Sequence, residues 1–303
     1  MLLALLAGAG RVIAAPDAGK QPVPAADSHL LTMAVLAAAA VALALIIRCR
    51  WYRLAAAPTR PKRFAPEVSL ALAIAMLIAG PIAWQAARMV FGIDAALHRQ
   101  TGAAEPLSLP LLAQQALAIY AGQAVIMLIY AVRRAPADGP DARIMRTHAV
   151  FIALAAIVLL WPITASAGWL AAVVAGWLGA PPPDVIAHDT LRLLADSPLD
   201  GWFIVMVVLV LLLVPTLEEV LYRGLLQEAM IRVGARRWPA IILTSILFAA
   251  MHWQNTAPHA VVALFVLSLG FGWVFERTGR LTAPIAMHVM FNLGNLSLAL
   301  LVP

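Results

Sequence analysis

A few polar side chains that can carry acid–base chemistry interrupt otherwise apolar stretches in the last third of the chain. They are two acids, an arginine, two histidines and an amide: Glu218, Glu219, Arg223, His252, His288 and Asn292. An ionisable side chain inside a membrane helix costs about 3 kcal/mol on insertion scales, so one that persists there is a functional candidate. Carboxylate and imidazole groups can accept and donate protons near neutral pH. We therefore expect these residues to form one buried site.

The spacing of these residues places them at similar depths on three helices. Counted at about 1.5 Å per residue from the inner basic cluster that bounds each helix, they lie about 12 to 22 Å deep. Residues four apart share a helix face, which pairs Glu219 with Arg223 and His288 with Asn292. Glu218 is turned by about 100° from Glu219, so one acid can pair with Arg223 while the other faces the histidines. A charge network that only fixes helix packing is the structural alternative.

The elements that must carry these residues are membrane-spanning helices. Apolar residues make up 63% of the 303 positions and charged residues only 12%, far from the composition of soluble domains. Stretches of about 20 apolar residues cross a bilayer, and we expect them at residues 30–47, 68–87, 109–132, 149–178, 202–230, 239–253, 259–275 and 281–301. The stretch 149–178 is too long for one straight span, and Pro162 is expected to kink or split it. The predicted fold is all-α, a polytopic membrane helix bundle with about eight transmembrane helices.

The distribution of basic residues predicts the orientation. Most of the 21 Lys and Arg residues fall in connections that are cytoplasmic if the N-terminus lies outside, so the positive-inside rule predicts an N-out, C-out topology. The net charge of +6 arises from these connections and forms no basic face, so nucleic acid is not an expected partner. The preference for Arg over Lys and the abundance of Ala are typical of a GC-rich bacterial genome. We therefore expect an integral protein of the bacterial cytoplasmic membrane.

The domain organisation is predicted to be simple. Residues 1–28 form a signal-like or polar N-terminal lead, in which no basic residue precedes the short apolar run. Residues 29–303 form a single transmembrane helical domain, with a motif-bearing core at about 202–302, and residues 180–200 are expected to include an amphipathic helix outside the membrane. The one cysteine, Cys49, excludes an intrachain disulfide and a cysteine metal cluster.

Three short motifs carry a family resemblance. They resemble the EExxxR, FxxxH and HxxxN signatures of the CPBP intramembrane protease family: Glu218 to Arg223, Phe248 with His252, and His288 with Asn292. That family includes the type II CAAX prenyl endopeptidases and the bacterial Abi proteins. The order and the approximate separation of the motifs also fit. The resemblance covers residues 215–295, which is under a third of the chain.

The resemblance implies an intramembrane endopeptidase. Glu218 with His252 would activate a water molecule, while His288 and Asn292 would stabilise the oxyanion that develops on the scissile carbonyl. Glu219, the second acid of the motif, belongs with the catalytic residues and would also hold the acid-bearing helix in place. The expected partners are the lipid bilayer and a peptide or membrane-protein substrate, of the CAAX type or a related one.

Two further motif residues would support these groups, and a metal-dependent alternative uses the same side chains. Arg223 can keep a neighbouring acid ionised at neutral pH, and Phe248 can pack against the ring of His252. One carboxylate with two imidazoles, Glu218, His252 and His288, is a zinc-compatible ligand set that leaves a position open for water. No His-Glu-x-x-His sequence is present. The metal-free, glutamate-type enzyme is the preferred interpretation, and a Zn²⁺ metalloprotease is the alternative.

Two other classes of protein use such residues differently. A proton-coupled transporter also places acids and histidines at mid-membrane. Transporters, however, often carry matching repeats, and the polar residues here lie only in the second half of the chain. A non-catalytic membrane scaffold or immunity protein would keep the fold without the reaction.

Overall fold

A computed structural model describes residues 25–54, 64–91, 108–132, 142–180 and 186–301. The regular elements of this part of the chain are helices, accompanied by one isolated antiparallel bridge between His188 and Thr256. In chain order the helices are α1 Ala25–Arg48, α2 Pro66–Phe91, α3 Leu109–Val132, α4 Ala142–Trp177, α5 Asp189–Ala195, α6 Gly201–Arg232, α7 Arg237–Met251, α8 Pro258–Thr278 and α9 Thr282–Leu301. The predicted all-α class is confirmed for the described residues.

Six of these helices are long and apolar enough to cross a membrane. They are α2, α3, α4 from His148 onwards, α6, α8 and α9. Two more are apolar but shorter, namely α7 and the part of α1 that begins at Thr32. Both were expected to span the membrane, so the total of about eight transmembrane helices stays a prediction, as does the N-out, C-out orientation.

Two expectations about the middle of the chain need correction. Helix α4 runs without interruption through Pro162, so this proline does not split the stretch, and the kink expected as the other possibility stays a prediction. A proline removes one hydrogen bond from a helix, and an apolar helix of 36 residues retains the remaining bonds. The helix expected within residues 180–200 is only the seven-residue α5. At the other end, residues 1–24 of the predicted N-terminal lead lie outside the described residues, and α1 already begins at Ala25.

The chain divides into two compact units, each built from separate segments. The first unit takes residues 1–58, 143–195 and 241–303, and the second takes residues 59–142 and 196–240. Helices α2, α3 and α6 therefore belong to the second unit, whereas α5, α8 and α9 belong to the first. The single transmembrane domain expected from the sequence stays a prediction.

Close packing of α2 against α3 is the framework of the second unit, and α6 packs against both. The backbones of α2 and α3 approach each other at Gly122, where an added Cβ would lie 2.4 Å from the Ala79 carbonyl oxygen and 2.7 Å from Ala83 Cβ. Small residues at such contacts are typical of membrane helices, whose association depends on van der Waals packing. At one end of the unit, Arg232 Nη1 donates to the Phe64 carbonyl at 2.7 Å and ties α6 to the segment before α2.

Replacing Gly122 with Ala is expected to destabilise the protein. The new methyl group would collide with the α2 backbone, and overpacking of this kind lowers the free energy of unfolding by about 1–3 kcal/mol. Gly176 on α4 provides the matched control, because nothing lies within 4 Å of an added Cβ there. Denaturant unfolding in detergent micelles should show a loss for Gly122→Ala and none for Gly176→Ala. Equal behaviour of the two variants would contradict the close approach.

Aromatic side chains pack between the helices of the first unit. The Trp161 ring of α4 occupies the space beside Gly294 of α9, where an added Cβ would lie 2.0 Å from the ring. Trp161 also packs on Phe291, with ring centroids 5.4 Å apart. Trp273 of α8 stacks on Trp51 at 5.8 Å and donates its Nε1–H to the Trp51 carbonyl at 2.6 Å. These contacts hold α8 and α9 in place, and α9 carries the HxxxN residues.

Candidate active site

The two motif acids lie on α6, and this helix is not uniform. Its first turn is capped by Asp200, whose carboxylate accepts the Phe203 N–H at 2.9 Å. Two π-helical segments interrupt the α-helical pattern, at Leu209–Leu213 and at Val220–Gln227. Segments of this type are rare and often mark functional sites. Both acids precede the second π segment directly, in the short stretch Val214–Glu219.

Glu219 and Arg223 form a fully buried ion pair. Arg223 Nη1 donates to Glu219 Oε1 at 3.1 Å, and both side chains are 0% exposed. The pairing predicted from the four-residue spacing is therefore confirmed. The Arg223 guanidinium also lies over the Tyr222 ring, 5.8 Å from its centroid. The pair is enclosed within the second unit, since nearly all of the π segment that follows Glu219 is buried.

Glu218 has a different environment from its neighbour. It is partly exposed. It lies near enough to Tyr120 and Tyr222 for its carboxylate charge to interact with their hydroxyl groups. Tyr120 comes from α3, which packs against the stretch of α6 that carries the acids. Sequence reasoning missed Tyr120, because a tyrosine in an apolar helix carries no motif. We define the acid cluster as Glu218, Glu219, Arg223 and these two tyrosines.

The histidines of the second and third motifs meet in the first unit around a shared phenylalanine. Phe248 is 1% exposed, and its ring centroid lies 4.7 Å from that of His252 and 5.9 Å from that of His288. Phe271 of α8 stacks on His288 at 4.8 Å and completes the group. The expected packing of Phe248 on His252 is thus confirmed, while Phe271 was not predicted. We define the histidine cluster as Phe248, His252, Phe271 and His288.

One hydrogen bond determines which ring nitrogen of His252 carries the proton. Its Nδ1 lies 2.8 Å from the Phe248 carbonyl oxygen, and a carbonyl only accepts, so Nδ1 carries the proton. In the neutral ring Nε2 then has a lone pair and can act as a base. His252 is partly exposed, whereas His288 is buried. Asn292 follows His288 by four residues on the α-helical α9 and therefore lies on the same helix face.

A third histidine, His188, lies in the segment before α5 and is joined to the turn after His252. His188 pairs with Thr256 in the isolated bridge. Its pKa is lowered from 6.5 to about 4, first by burial and then by the charge of His252, against the opposing effect of Asp189. The imidazole is therefore neutral at pH 7. Sequence reasoning missed His188, because a histidine beside an acid in a connection between helices is ordinarily solvated.

A metal site at these residues would need at least three donor side chains close together. Within the described part of the chain, no three His, Cys, Asp or Glu side chains come together as a group that could hold a metal ion. The zinc ligand set Glu218, His252 and His288 stays a prediction, and so does the metal-free alternative.

Phe248 is expected to stabilise the protein as well as to position the rings of His252 and His288. Truncation to Ala would leave a cavity between two imidazoles and Phe271. Because lipid tails are as apolar as the protein interior, the loss is mainly one of packing, which we place at about 2 kcal/mol of unfolding free energy. Phe151→Ala is the control, because its ring is 62% exposed. Thermal unfolding in detergent that gave the same small shift for both variants would contradict the packing role of Phe248.

The helices and the two clusters define a class of protein, an integral membrane protein with acids and histidines on its membrane helices. Residues 200–294 match the model of a protein family described as Type II CAAX prenyl endopeptidase Rce1-like. This match contains all three motifs, confirms the resemblance inferred from them and supports a protease. No curated protein matches the chain, and no solved structure matches it.

Proposed function

We propose that this protein is an intramembrane endopeptidase that hydrolyses a peptide bond with a water molecule activated by Glu218 and His252. The observation that carries the proposal is the family match over residues 200–294, which spans every motif acid and histidine. The acid cluster and the histidine cluster would act on one substrate. The similar depths calculated from the sequence for their helices support that joint action.

The environments of the two acids favour Glu218 as the base. The Glu219 carboxylate is committed to Arg223 at 3.1 Å and is 0% exposed, which leaves it no route to a water molecule. Glu218 is partly exposed. A base must come within hydrogen-bond reach of the proton that it takes. Glu219 with Arg223 would instead fix α6 and keep the local charge balanced.

The reaction needs a proton carrier and oxyanion donors. Glu218 takes a proton from the water, and the resulting hydroxide forms a bond to the scissile carbonyl carbon. The lone pair on His252 Nε2, set by the Phe248 carbonyl, would orient that water. His288 and Asn292 would donate to the oxyanion, an interaction worth about 3 kcal/mol per donor in enzymes of this kind. The carbon–nitrogen bond then breaks, and the proton held by Glu218 passes to the leaving amine.

The substrate, the membrane location and the metal dependence of the enzyme are part of the same proposal. The substrate is a peptide or membrane protein, of the CAAX type named by the family or a related one. The chain would lie in a bacterial cytoplasmic membrane, which the preference for Arg and Ala indicates, with both termini outside, as its charge distribution predicts. The enzyme is of the metal-free glutamate type, and a zinc-dependent enzyme is the alternative that the test must separate.

Peptide hydrolysis by the purified protein in detergent tests this proposal. Wild type and His252→Ala would be incubated with a panel of prenylated and unmodified peptides, with and without a zinc chelator. Cleavage by wild type that the substitution abolishes and the chelator leaves unchanged is the expected result. Loss with chelator and recovery with zinc would establish the metalloenzyme. Equal behaviour of both proteins across the panel would favour a scaffold or a transporter.

A further inference from the structure

Two connections of the first unit meet at a pair of tryptophans. Trp51, which follows α1, stacks on Trp273 of α8 with ring centroids 5.8 Å apart. The hydrogen bond from Trp273 Nε1 to the Trp51 carbonyl, at 2.6 Å, fixes this contact. On α8 the Arg277 guanidinium lies 5.5 Å from the centroid of the Trp273 ring, within the range of a cation–π interaction. The tryptophan pair therefore brings the end of α1 to the last turns of α8.

Four exposed arginines accompany the tryptophan pair. We define the arginine patch as Arg48, Arg50, Arg53 and Arg277. Within the described ranges, no carboxylate forms an ion pair with any of them, and the neighbouring acid on α8, Glu276, is buried. The sequence predicts no basic face, because these arginines lie in two connections far apart along the chain, so this local patch is a correction to that prediction.

The backbone of Arg50 indicates that its side chain has a use. Its φ of 52° lies in the left-handed region, which residues other than glycine adopt rarely. Arg50 turns the chain at the end of α1, where the Trp51 N–H donates to the Ile46 carbonyl at 2.9 Å. Glycine is the usual residue at a helix end of this type, because it has no Cβ to clash. An arginine that keeps such a conformation is a candidate for a binding function.

The position of the arginine patch favours a lipid among anionic ligands. Helix α8 is long and apolar enough to cross a membrane, and indoles near the ends of such helices prefer the headgroup region. Within two turns of the patch, α1 exposes four apolar side chains by 45% to 63%: Val41, Leu43, Leu45 and Ile47. Guanidinium groups bind phosphate oxygens well, and the apolar side chains can contact acyl chains. A phospholipid presents both groups, whereas a soluble anion presents only the charge.

We propose that the arginine patch binds the headgroup phosphate of an anionic phospholipid, whose acyl chains lie along α1. Basic sites between membrane helices bind acidic headgroups in this way. The bound lipid contacts arginines from both connections and so holds the end of α1 on α8. The inference goes beyond the proposed hydrolysis and does not depend on it, since lipid binding needs no catalytic activity.

Native mass spectrometry of the purified protein in detergent tests the inference. Phosphatidylglycerol and phosphatidylcholine with the same acyl chains would be added in turn, and the Kd of the first bound lipid would be measured. We expect wild type to bind phosphatidylglycerol more tightly. Arg50→Gly and Arg277→Gln should each weaken that binding by about fivefold, and the double variant by about thirtyfold, the effect of removing one or two arginines near an anionic headgroup. The Kd for phosphatidylcholine should stay the same.

Arg50→Gly also separates the charge from the fold. Glycine adopts a φ of 52° without the clash of a Cβ, so the melting temperature of this variant in detergent should not fall below that of wild type. Arg88→Gln is the matched control, because it removes one arginine charge from the last turn of α2 in the other unit. It should bind phosphatidylglycerol as wild type does.

Three results would overturn the inference. In the first, wild type binds the two lipids equally well. In the second, Arg50→Gly keeps the wild-type Kd, or Arg88→Gln weakens binding as much as Arg277→Gln does. In the third, glycerol phosphate, which carries the charge without acyl chains, competes as strongly as the lipid, which would assign the patch to a soluble phosphate.

Discussion

Glu218→Gln is expected to reduce peptide hydrolysis by about 10²- to 10⁴-fold, the range associated with loss of a general base. The amide has nearly the same shape as the carboxylate but cannot accept the proton of the attacking water. Glu218 is partly exposed and is not the acid that forms the buried pair with Arg223. We therefore expect the variant to fold normally. The measurements are the rate of peptide cleavage in detergent and the melting temperature of the same sample.

Glu219→Gln is the control for this prediction, because it makes the same change one residue further along α6. Glu219 forms the buried ion pair, so its substitution should lower the melting temperature. Any loss of activity should accompany that loss of stability. The opposite result would be a Glu218→Gln variant that cleaves at the wild-type rate and a Glu219→Gln variant that is stable but inactive. It would show that Glu219, not Glu218, is the base.

Arg223→Leu is expected to lower the free energy of unfolding by about 3–5 kcal/mol, the usual effect of removing one partner of a buried ion pair. The Glu219 carboxylate would stay in an apolar environment without the guanidinium that now lies 3.1 Å away. The variant should unfold at markedly lower temperature or denaturant concentration than wild type in the same detergent.

The double variant Glu219→Leu with Arg223→Leu isolates the cause of that loss. Replacing both partners of a buried pair by apolar residues is often neutral or stabilising, so the double variant should recover much of the stability that Arg223→Leu loses. If it is as unstable as the single variant, packing of the long Arg223 side chain rather than charge explains the effect. Recovery of stability without recovery of hydrolysis would show that the ion pair also serves the reaction.

The sequence predicts the helices of the motif region well, because long apolar runs have few alternatives. The stretch expected at residues 281–301 became α9, Thr282–Leu301, and the pair of Glu219 with Arg223 formed as its spacing predicts. The rotational positions along α6 were harder to predict. A turn of 100° per residue applies to an α-helix, and α6 contains two π-helical segments that no residue pattern indicates.

The neighbours of the motif residues could not be predicted either, since they arrive from distant parts of the chain. Tyr120 approaches Glu218 from α3, and Phe271 stacks on His288 from α8. Apolar and aromatic residues in membrane helices are so common that neither position stands out. His188 does not stand out for a related reason, because a loop histidine beside an acid is ordinary until its backbone bridge to Thr256 is known.

The division of the chain into interleaved units has a consequence for its biosynthesis. The last segment of the second unit ends at residue 240, whereas the first unit needs residues 241–303. Proteins emerge from the ribosome in sequence order and tend to fold unit by unit. The buried pair of Glu219 and Arg223 can thus form while the nascent chain still lacks His252, His288 and Asn292. All of the motif residues are therefore present together only after α9 has been translated and inserted.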